Sequence, residues 1–206
     1  GFGLVSDDGE MFVTYKGEKL LSTRELQVSG NHNFSNIMAG MAIATAIGID
    51  MDSIIRSVKQ FAGLENRCQW VAQVKGVDYY NDSKGTNVGA TVAAIEGLAQ
   101  GRSNKIILIA GGVGKGADVS PVRAVVERHC RAVVLTGADA KTIAAAVGAV
   151  SDCYFATDMI AALQISYSLA LPGDMVLLSP ACASFDMYRD YVQRGKSFVE
   201  SVRRLQ

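Results

Sequence analysis

A short polar segment, Asn81–Asn87, carries side chains whose types suit an anionic ligand. If this Asn-Asp-Ser-Lys-Gly-Thr-Asn segment is extended, Asp82, Lys84 and Thr86 point to one side, because successive side chains alternate. A helix beginning directly behind it would add free backbone N–H groups and the positive end of its dipole. A cation, a hydroxyl and a helix N-terminus together form an anion site, and the carboxylate would suit ribose hydroxyls or an amine. The simpler alternative is that Thr86 or Asn87 caps the helix.

Two further segments combine small residues with a polar side chain. Gly111–Asp118 is glycine-rich, so its backbone could approach a ligand closely while Lys115 supplies a charge. Its spacing fits neither a Walker A loop nor the G-x-G-x-x-G fingerprint, and a flexible turn is the alternative. Ser179–Asp186 contains Ser184, which could hydrogen-bond a carboxylate. Helix capping by Ser184 or Asp186 is the alternative for this segment.

Nearer the N-terminus, two asparagines form a candidate site for a base. Asn33 and Asn36 are three residues apart where a helix is expected to begin, so they share a face, and an amide can pair with adenine. An N-cap with a buried polar network is the alternative. Arg67 is isolated between two regions, and an isolated Arg is usually solvated. The cysteines lack the two-residue gap of a zinc or redox motif, which predicts free thiols and no metal site: Cys68, Cys130, Cys153 and Cys182.

The elements that must position these segments fall into two regions. Residues 1–64 begin with short strands around a hairpin turn at Lys16-Gly17, followed by an apolar, buried helix over 34–49 and a second helix capped by Asp52. Residues 65–206 alternate apolar strands with helices, which is typical of a parallel sheet covered on both faces. Ligands of such sheets bind beyond the carboxyl ends of the strands. The predicted elements of this second region are strands 70–74 and 77–80, helix 88–98, strand 105–110, a helix from Ser120-Pro121, strand 132–136, helix 138–149, strand 153–156, helix 158–170, strand 175–178 and helix 186–205.

Composition limits the class of partner. Hydrophobic residues make up 49% and charged residues 19% of the 206, and the formal net charge is zero. Neither nucleic acid nor an anionic membrane is therefore indicated as a partner. No apolar run approaches the ~20 residues of a membrane span, and no signal segment is present, so we expect a cytoplasmic protein. Because the chain starts at Gly1 rather than Met, we interpret it as a piece of a longer polypeptide.

Four segments, in this order and spacing, resemble the Mur ligase family along essentially the whole chain. They are Gly30–Phe34, Asn81–Asn87, Gly111–Lys115 and Ser179–Asp186. Each alone is weak, but the ordered set is specific, and it is most similar to the branch of the family that adds D-glutamate. Val113 departs from the family, which commonly has an acidic residue at that position.

The resemblance implies a fold and a reaction. Residues 1–64 would be the last part of a P-loop-type ATPase domain, and residues 65–206 a Rossmann-like domain that binds the amino acid. This branch of the family joins D-glutamate to UDP-N-acetylmuramoyl-L-alanine through an acyl phosphate, using ATP and Mg²⁺, in peptidoglycan synthesis and thereby in cell-wall biogenesis, cell shape and cell division. The P-loop and the metal ligands would lie outside this chain, in the rest of the same polypeptide. We therefore expect the chain to be inactive alone.

Roles carry over from the family residue by residue. Catalysis would involve Lys84 and Arg67, the latter at the ATP phosphates. The other implied ATP contacts are Asn33, Asn36 and Asp82. The implied D-glutamate contacts are Thr86, Lys115, Ser184, Phe185 and Tyr191. Two alternatives stay open: another Mur-type or folylpolyglutamate-type ligase, and a non-catalytic nucleotide-binding module.

Overall fold

The computed structural model describes residues 1–28 and 30–205, without the side chains of Asn31 and His32. The Gly30–Phe34 segment of the family resemblance therefore lies partly outside the described residues. The chain forms two compact units, Gly1–Gly63 and Leu64–Gln206. Each unit has a hydrophobic core of its own.

The first unit is a three-stranded antiparallel sheet followed by helices. Its elements are β1 Phe2–Asp7, β2 Glu10–Tyr15, β3 Glu18–Ser22, a short 3-10 helix Thr23–Glu25, α1 Asn31–Ala46 and α2 Met51–Gln60. The predicted hairpin turn at Lys16-Gly17 is confirmed: both residues have positive φ angles, 52° and 93°. Turns of this kind match the right-handed twist of the strands that they join.

Both predicted helices of the first unit form, with two differences. The apolar sequence predicts that α1 is buried nearly all round. In the structure, α1 packs one face into the core, whereas Ile43 and Ile47 are 66% and 72% exposed. Helix α2 is capped by Asp50, whose carboxylate accepts a hydrogen bond from the Ser53 N–H at 2.8 Å. The prediction of Asp52 as the cap is wrong, because the extended residue that precedes a helix supplies its cap.

The second unit is a six-stranded sheet with helices on both faces. Its strands are β4 Gln69–Val74, β5 Val77–Asn81, β6 Ile106–Gly111, β7 Cys130–Thr136, β8 Asp152–Phe155 and β9 Met175–Leu178. Its helices are α3 Val88–Ala99, α4 Pro121–His129, α5 Ala140–Val147, α6 Met159–Leu169 and α7 Tyr191–Arg203. The strand order is β4-β5-β9-β6-β7-β8, and only β4 runs antiparallel to its neighbour. The predicted α/β fold with a mostly parallel sheet is confirmed.

The central strands explain why the sequence showed continuous apolar runs. Every residue of β6 and of β9 is buried, because α3, α4 and α5 cover one face of the sheet and α6 and α7 cover the other. From β6 the chain continues to β7 and β8 on one side of β6, and it then returns to form β9 on the other side, between β5 and β6. At such a reversal the loops beyond the carboxyl ends of the strands leave a crevice.

One buried polar atom in this core leads to a stability prediction. Tyr79 on β5 is fully buried, and its hydroxyl has no hydrogen-bond partner within the described ranges. Burial, with Tyr167 nearby, raises the pKa of Tyr79 to about 12. An unsatisfied buried hydroxyl is costly, so we expect Tyr79→Phe to raise the free energy of unfolding by about 1 kcal/mol.

Urea unfolding of the full-length protein tests this expectation, and Tyr80 provides the matched control. Tyr80 lies on the same strand and faces the opposite side of the sheet, where Arg102 opposes the rise in its pKa that burial causes. Tyr80→Phe therefore loses a partnered hydroxyl and should lower stability. A loss of stability in Tyr79→Phe equal to that in Tyr80→Phe would contradict the prediction.

Candidate functional site

Three loops meet beyond the carboxyl ends of the central strands. We name them the β5 loop (residues 82–87), the β6 loop (residues 112–120) and the β9 loop (residues 179–190). Backbone hydrogen bonds tie the β9 loop to both neighbours: the Ala181 N–H donates to the Gly85 carbonyl at 2.9 Å, and the Gly111 N–H donates to the Pro180 carbonyl at 2.9 Å. The three segments singled out in the sequence are therefore adjacent at one edge of the sheet.

The β6 loop is held in place from two sides. Val113 and Ala183 exchange backbone hydrogen bonds of 2.9 and 3.0 Å, which fasten it to the β9 loop. The Gly114 N–H donates to the Asp139 carboxylate at 2.6 Å, which fastens it to the loop after β7. Lys115 follows, exposed and with a φ of 55°, a conformation uncommon for a residue with a side chain. The first part of the loop, through Gly114, is therefore bonded to two neighbouring segments.

The β9 loop carries a serine whose residue is buried as a whole. Ser184 is 3% exposed, and its side chain has no hydrogen-bond partner among the residues that the structure describes. Neither Ser184 nor Asp186 caps a helix, because α7 begins at Tyr191 and its cap is Asp190. Asp186 instead accepts a hydrogen bond from the Ala138 N–H at 2.8 Å. The helix predicted from residue 186 therefore starts five residues late, and the capping alternative is wrong.

The β5 loop places a cation against an aromatic ring. The Lys84 ammonium lies 4.1 Å from the centroid of the Tyr191 ring, a cation–π contact that joins this loop to α7. Asn87 caps α3 by accepting a hydrogen bond from the Ala90 N–H at 2.9 Å, so the capping alternative is confirmed for Asn87. Thr86 is half-buried and lies two residues after Lys84, just before the N-terminus of α3, where free backbone N–H groups attract anions.

Asp82 lies beneath the β5 loop. It is 7% exposed, and its carboxylate accepts hydrogen bonds from the Ser179 hydroxyl at 2.7 Å and from the Cys68 N–H at 3.2 Å. Burial raises the pKa of Asp82 to about 6, although these hydrogen bonds and the nearby Arg67 lower it. In this arrangement Asp82 organises the loop, and any contact with a ribose would use the remaining lone pairs of its oxygens.

This environment predicts a pH-dependent contribution to stability. Because the pKa of Asp82 is higher in the folded than in the unfolded protein, folding favours its protonated form. Its contribution is therefore full below about pH 4 and disappears as the pH rises through about 6. We expect Asp82→Asn to become more stable relative to wild type by about 2 kcal/mol between pH 4 and 7.

Urea unfolding across this pH range measures the difference between the two proteins. Asp152→Asn, at an exposed position, is the control and should show no such trend. A stability difference between Asp82→Asn and wild type that stays flat with pH would rule out the shifted pKa.

The remaining predicted residues differ in their surroundings. Arg67 is exposed on a turn between Asn66 and Cys68. The Phe185 side chain is 69% exposed. In the first unit, Asn33 is half-buried and Asn36 is exposed, both near the start of α1. The structure thus gathers the β5, β6 and β9 loop residues at one edge of the second unit, while the two asparagines belong to the other unit.

Sequence reasoning missed the residue that joins the β5 loop, the β9 loop and the end of strand β6. Arg194 on α7 is 3% exposed. Its guanidinium donates to the Ser83 hydroxyl and carbonyl at 3.0 Å each, to the Cys182 carbonyl at 3.1 Å and, at 3.5 Å, to the Gly111 carbonyl. Burial lowers the pKa of Arg194 to about 10, which leaves it charged at neutral pH. A sequence signal existed, since an Arg four residues before the buried Phe198 lies on the apolar stripe of the helix.

Within 1–28 and 30–205, no group of three or more His, Cys, Asp or Glu side chains could hold a metal ion. Over the same ranges, no helix is both long and apolar enough to cross a membrane.

Comparison with known proteins defines the class. Residues 66–182 match the family described as Mur ligase, glutamate ligase domain. This match covers more than half of the chain, and the chain belongs to the Mur ligase family. The resemblance recognised in the four segments is therefore confirmed.

Individual relatives are more specific. The chain is 50% identical over 202 residues to a UDP-N-acetylmuramoylalanine–D-glutamate ligase of Pseudomonas savastanoi pv. phaseolicola, which covers 98% of this chain and 45% of the relative. It is 51% identical over 197 residues to the protein of the same name from Marinobacter nauticus, covering 96% of this chain and 44% of that one. The chain thus spans less than half the length of these relatives.

A solved structure shows the same fold at low sequence identity. The folylpolyglutamate synthase of Mycobacterium tuberculosis complexed with ADP matches with a TM-score of 0.70 and 16% identity. The match covers 97% of this chain and 46% of that one.

Proposed function

We propose that this chain is the D-glutamate-binding part of an ATP-dependent ligase that joins D-glutamate to UDP-N-acetylmuramoyl-L-alanine in peptidoglycan synthesis. Relatives that carry this name are about half identical to it along nearly its whole length. The observation that carries the proposal is the meeting of the β5, β6 and β9 loops, which bring Lys84, Lys115 and the unpartnered Ser184 hydroxyl to one edge of the sheet.

D-glutamate requires binding groups for two carboxylates. Lys115 and Thr86 supply a cation and a hydroxyl for one of them, and charge-assisted hydrogen bonds of this kind are the strong ones. Ser184 would hold the other end by donating a hydrogen bond from its hydroxyl. Phe185, the residue after Ser184, and Tyr191, whose ring contacts Lys84, would cover the aliphatic part of the amino acid.

The reaction needs an activated carboxylate, because oxide is a poor leaving group. In the proposed sequence, the muramoyl-alanine carboxylate takes the γ-phosphoryl group of ATP and ADP leaves. The D-glutamate amine then attacks the acyl carbon, the carbon–oxygen bond to phosphate breaks, and the amine loses a proton. Lys84 stabilises the negative charge that grows on oxygen during attack.

We assign four residues of this chain to ATP. Arg67, an exposed cation on a fixed turn, suits the phosphates, Asp82 the ribose, and Asn33 and Asn36 the adenine. Mg²⁺ would be bound by the rest of the same polypeptide and would neutralise phosphate charge. We place the complete enzyme in the cytoplasm, with small-molecule substrates and neither nucleic acid nor membrane as a partner.

The test is turnover by the full-length protein. ADP release is measured with ATP, Mg²⁺ and UDP-N-acetylmuramoyl-L-alanine, with D-glutamate or L-glutamate as the amine, and the product is identified by mass. We expect turnover with D-glutamate only. Activity with a folate and L-glutamate would favour a folylpolyglutamate-type ligase, and nucleotide binding without turnover would favour a non-catalytic module.

A further inference from the structure

We propose that Asn66 is a positioning residue, whose side-chain amide, held between Asn81 and Gly195, fixes the turn from which Arg67 projects. The proposal rests on the proposed function, in which Arg67 contacts the ATP phosphates. None of the sequence motifs includes Asn66 or Gly195, and their role follows from contacts between distant parts of the second unit.

The turn that carries Arg67 has an unusual backbone. Asn66 and Cys68, on either side of it, have positive φ angles of 62° and 44°. Residues with side chains seldom adopt this region, and they keep it only where the surroundings enforce it. The backbone conformation of Cys68 is held by its N–H, which donates a hydrogen bond to the Asp82 carboxylate at 3.2 Å. The backbone conformation of Asn66 must be held by contacts of Asn66 itself.

Those contacts run to the β5 loop and to the strand before it. The Asn66 side-chain oxygen accepts a hydrogen bond from the Asn81 amide nitrogen at 3.0 Å, and Asn81 in turn accepts one from the Ser83 N–H at 3.1 Å. The Asn66 carbonyl accepts from the Lys84 N–H at 3.0 Å. One residue thus links the Arg67 turn to the loop that carries Lys84.

Helix α7 packs directly against the Asn66 and Asn81 side chains. A Cβ atom on Gly195 would lie 1.8 Å from the Asn66 side-chain oxygen and 3.1 Å from the Asn81 amide nitrogen. The first distance is impossible for real atoms, so the helix approaches the amide pair this closely only because residue 195 has no side chain.

Packing does not replace these polar contacts. Asn66 is 6% exposed, yet it also lines a cavity of about 390 Å³ together with Glu65, Gln69 and Val199. A cavity on this side means that no close-packed apolar side chains support the turn there. The position of the Asn66 side chain therefore follows from the amide pair and from the close approach of α7.

The first experiment removes the amide and keeps the backbone free to adopt its angle. In the full-length protein, we expect Asn66→Gly to lower kcat/KM for ATP by about 10- to 100-fold, since misplacing a catalytic group by about 1 Å has effects of this size. The Asn66 carbonyl and its bond to Lys84 remain, so KM for D-glutamate should change by less than about threefold. Lys75→Gly, at a remote residue with a φ of 48°, is the matched control and should change neither.

A double-mutant cycle separates positioning from general damage. If Asn66 acts through Arg67, then Asn66→Gly should have less than about a threefold further effect on kcat/KM for ATP when Arg67 is already Ala. Additive losses would overturn the proposal. If Arg67→Ala leaves ATP kinetics unchanged, the proposed function of Arg67 fails instead, so the two failures are distinguishable.

A suppressor pair tests the geometry independently of kinetics. Gly195→Ala alone should lower the melting temperature and kcat/KM for ATP, because its methyl group collides with the Asn66 amide. In the Asn66→Gly background that oxygen is gone, so the added effect of Gly195→Ala should be much smaller. If Gly195→Ala lowers the melting temperature and kcat/KM equally with and without the Asn66 side chain, the proposed contact between Gly195 and Asn66 is wrong.

Discussion

Arg194→Ala is expected to lower the free energy of unfolding of the full-length protein by about 3 kcal/mol and to abolish most of its activity. The guanidinium is the common donor for the Ser83 hydroxyl, for the Ser83 carbonyl and for the Cys182 carbonyl. Removing it leaves buried acceptors unpaired and opens a cavity, and both effects destabilise. It also removes the side-chain link between the β5 and β9 loops, so the residues proposed to bind D-glutamate lose part of the support for their spacing.

Two variants make this result interpretable. Arg194→Lys keeps the charge, but an ammonium cannot reproduce the fork of donors, so an intermediate loss is expected. Arg203→Ala, at the exposed end of the same helix, should change stability by less than about 0.5 kcal/mol. Urea unfolding and steady-state kinetics measure the two effects. A full loss of activity in Arg203→Ala, or none in Arg194→Ala, would contradict the role of Arg194 as the link between loops.

Lys115→Ala is expected to raise KM for D-glutamate by about 10- to 100-fold, the range given by losing one charge-assisted hydrogen bond. KM for ATP should change little, because Lys115 lies on the β6 loop and the proposed phosphate contact is Arg67. The β6 loop is fastened by backbone bonds at Val113 and by Asp139, which the substitution leaves in place. The enzyme should therefore stay folded and lose affinity for one substrate.

The backbone at Lys115 requires a second variant. Its φ of 55° strains any residue with a Cβ atom, so Lys115→Gly relieves strain while it removes the same charge. Equal KM values for Lys115→Ala and Lys115→Gly would assign the loss to the ammonium group. Lys141→Ala, on the surface of α5, serves as the control for a lost lysine charge. Equal rises of KM for ATP and for D-glutamate in Lys115→Ala would count against a D-glutamate site.

Most of the element order was predictable from the residues, because turns and hydrophobic periods act over a few positions. The hairpin about Lys75-Gly76, the strand Met175–Leu178 and the helix from Pro121 all form where the pattern indicates. The errors are local as well. The pattern favours Asp52 as a helix cap, whereas Asp50 caps α2, and it predicts a helix from residue 186, whereas α7 begins at Tyr191.

The residues that hold the candidate site together carry little local signal, since their partners are distant in sequence. Arg194 lies 111 positions from Ser83, and Gly195 meets Asn66 only after α7 packs beside β5. Chemistry-bearing side chains such as Lys115 stand out by type and by neighbouring glycines. Their supports become visible once β9 has inserted between β5 and β6, because that insertion brings the separate loops to one edge of the sheet.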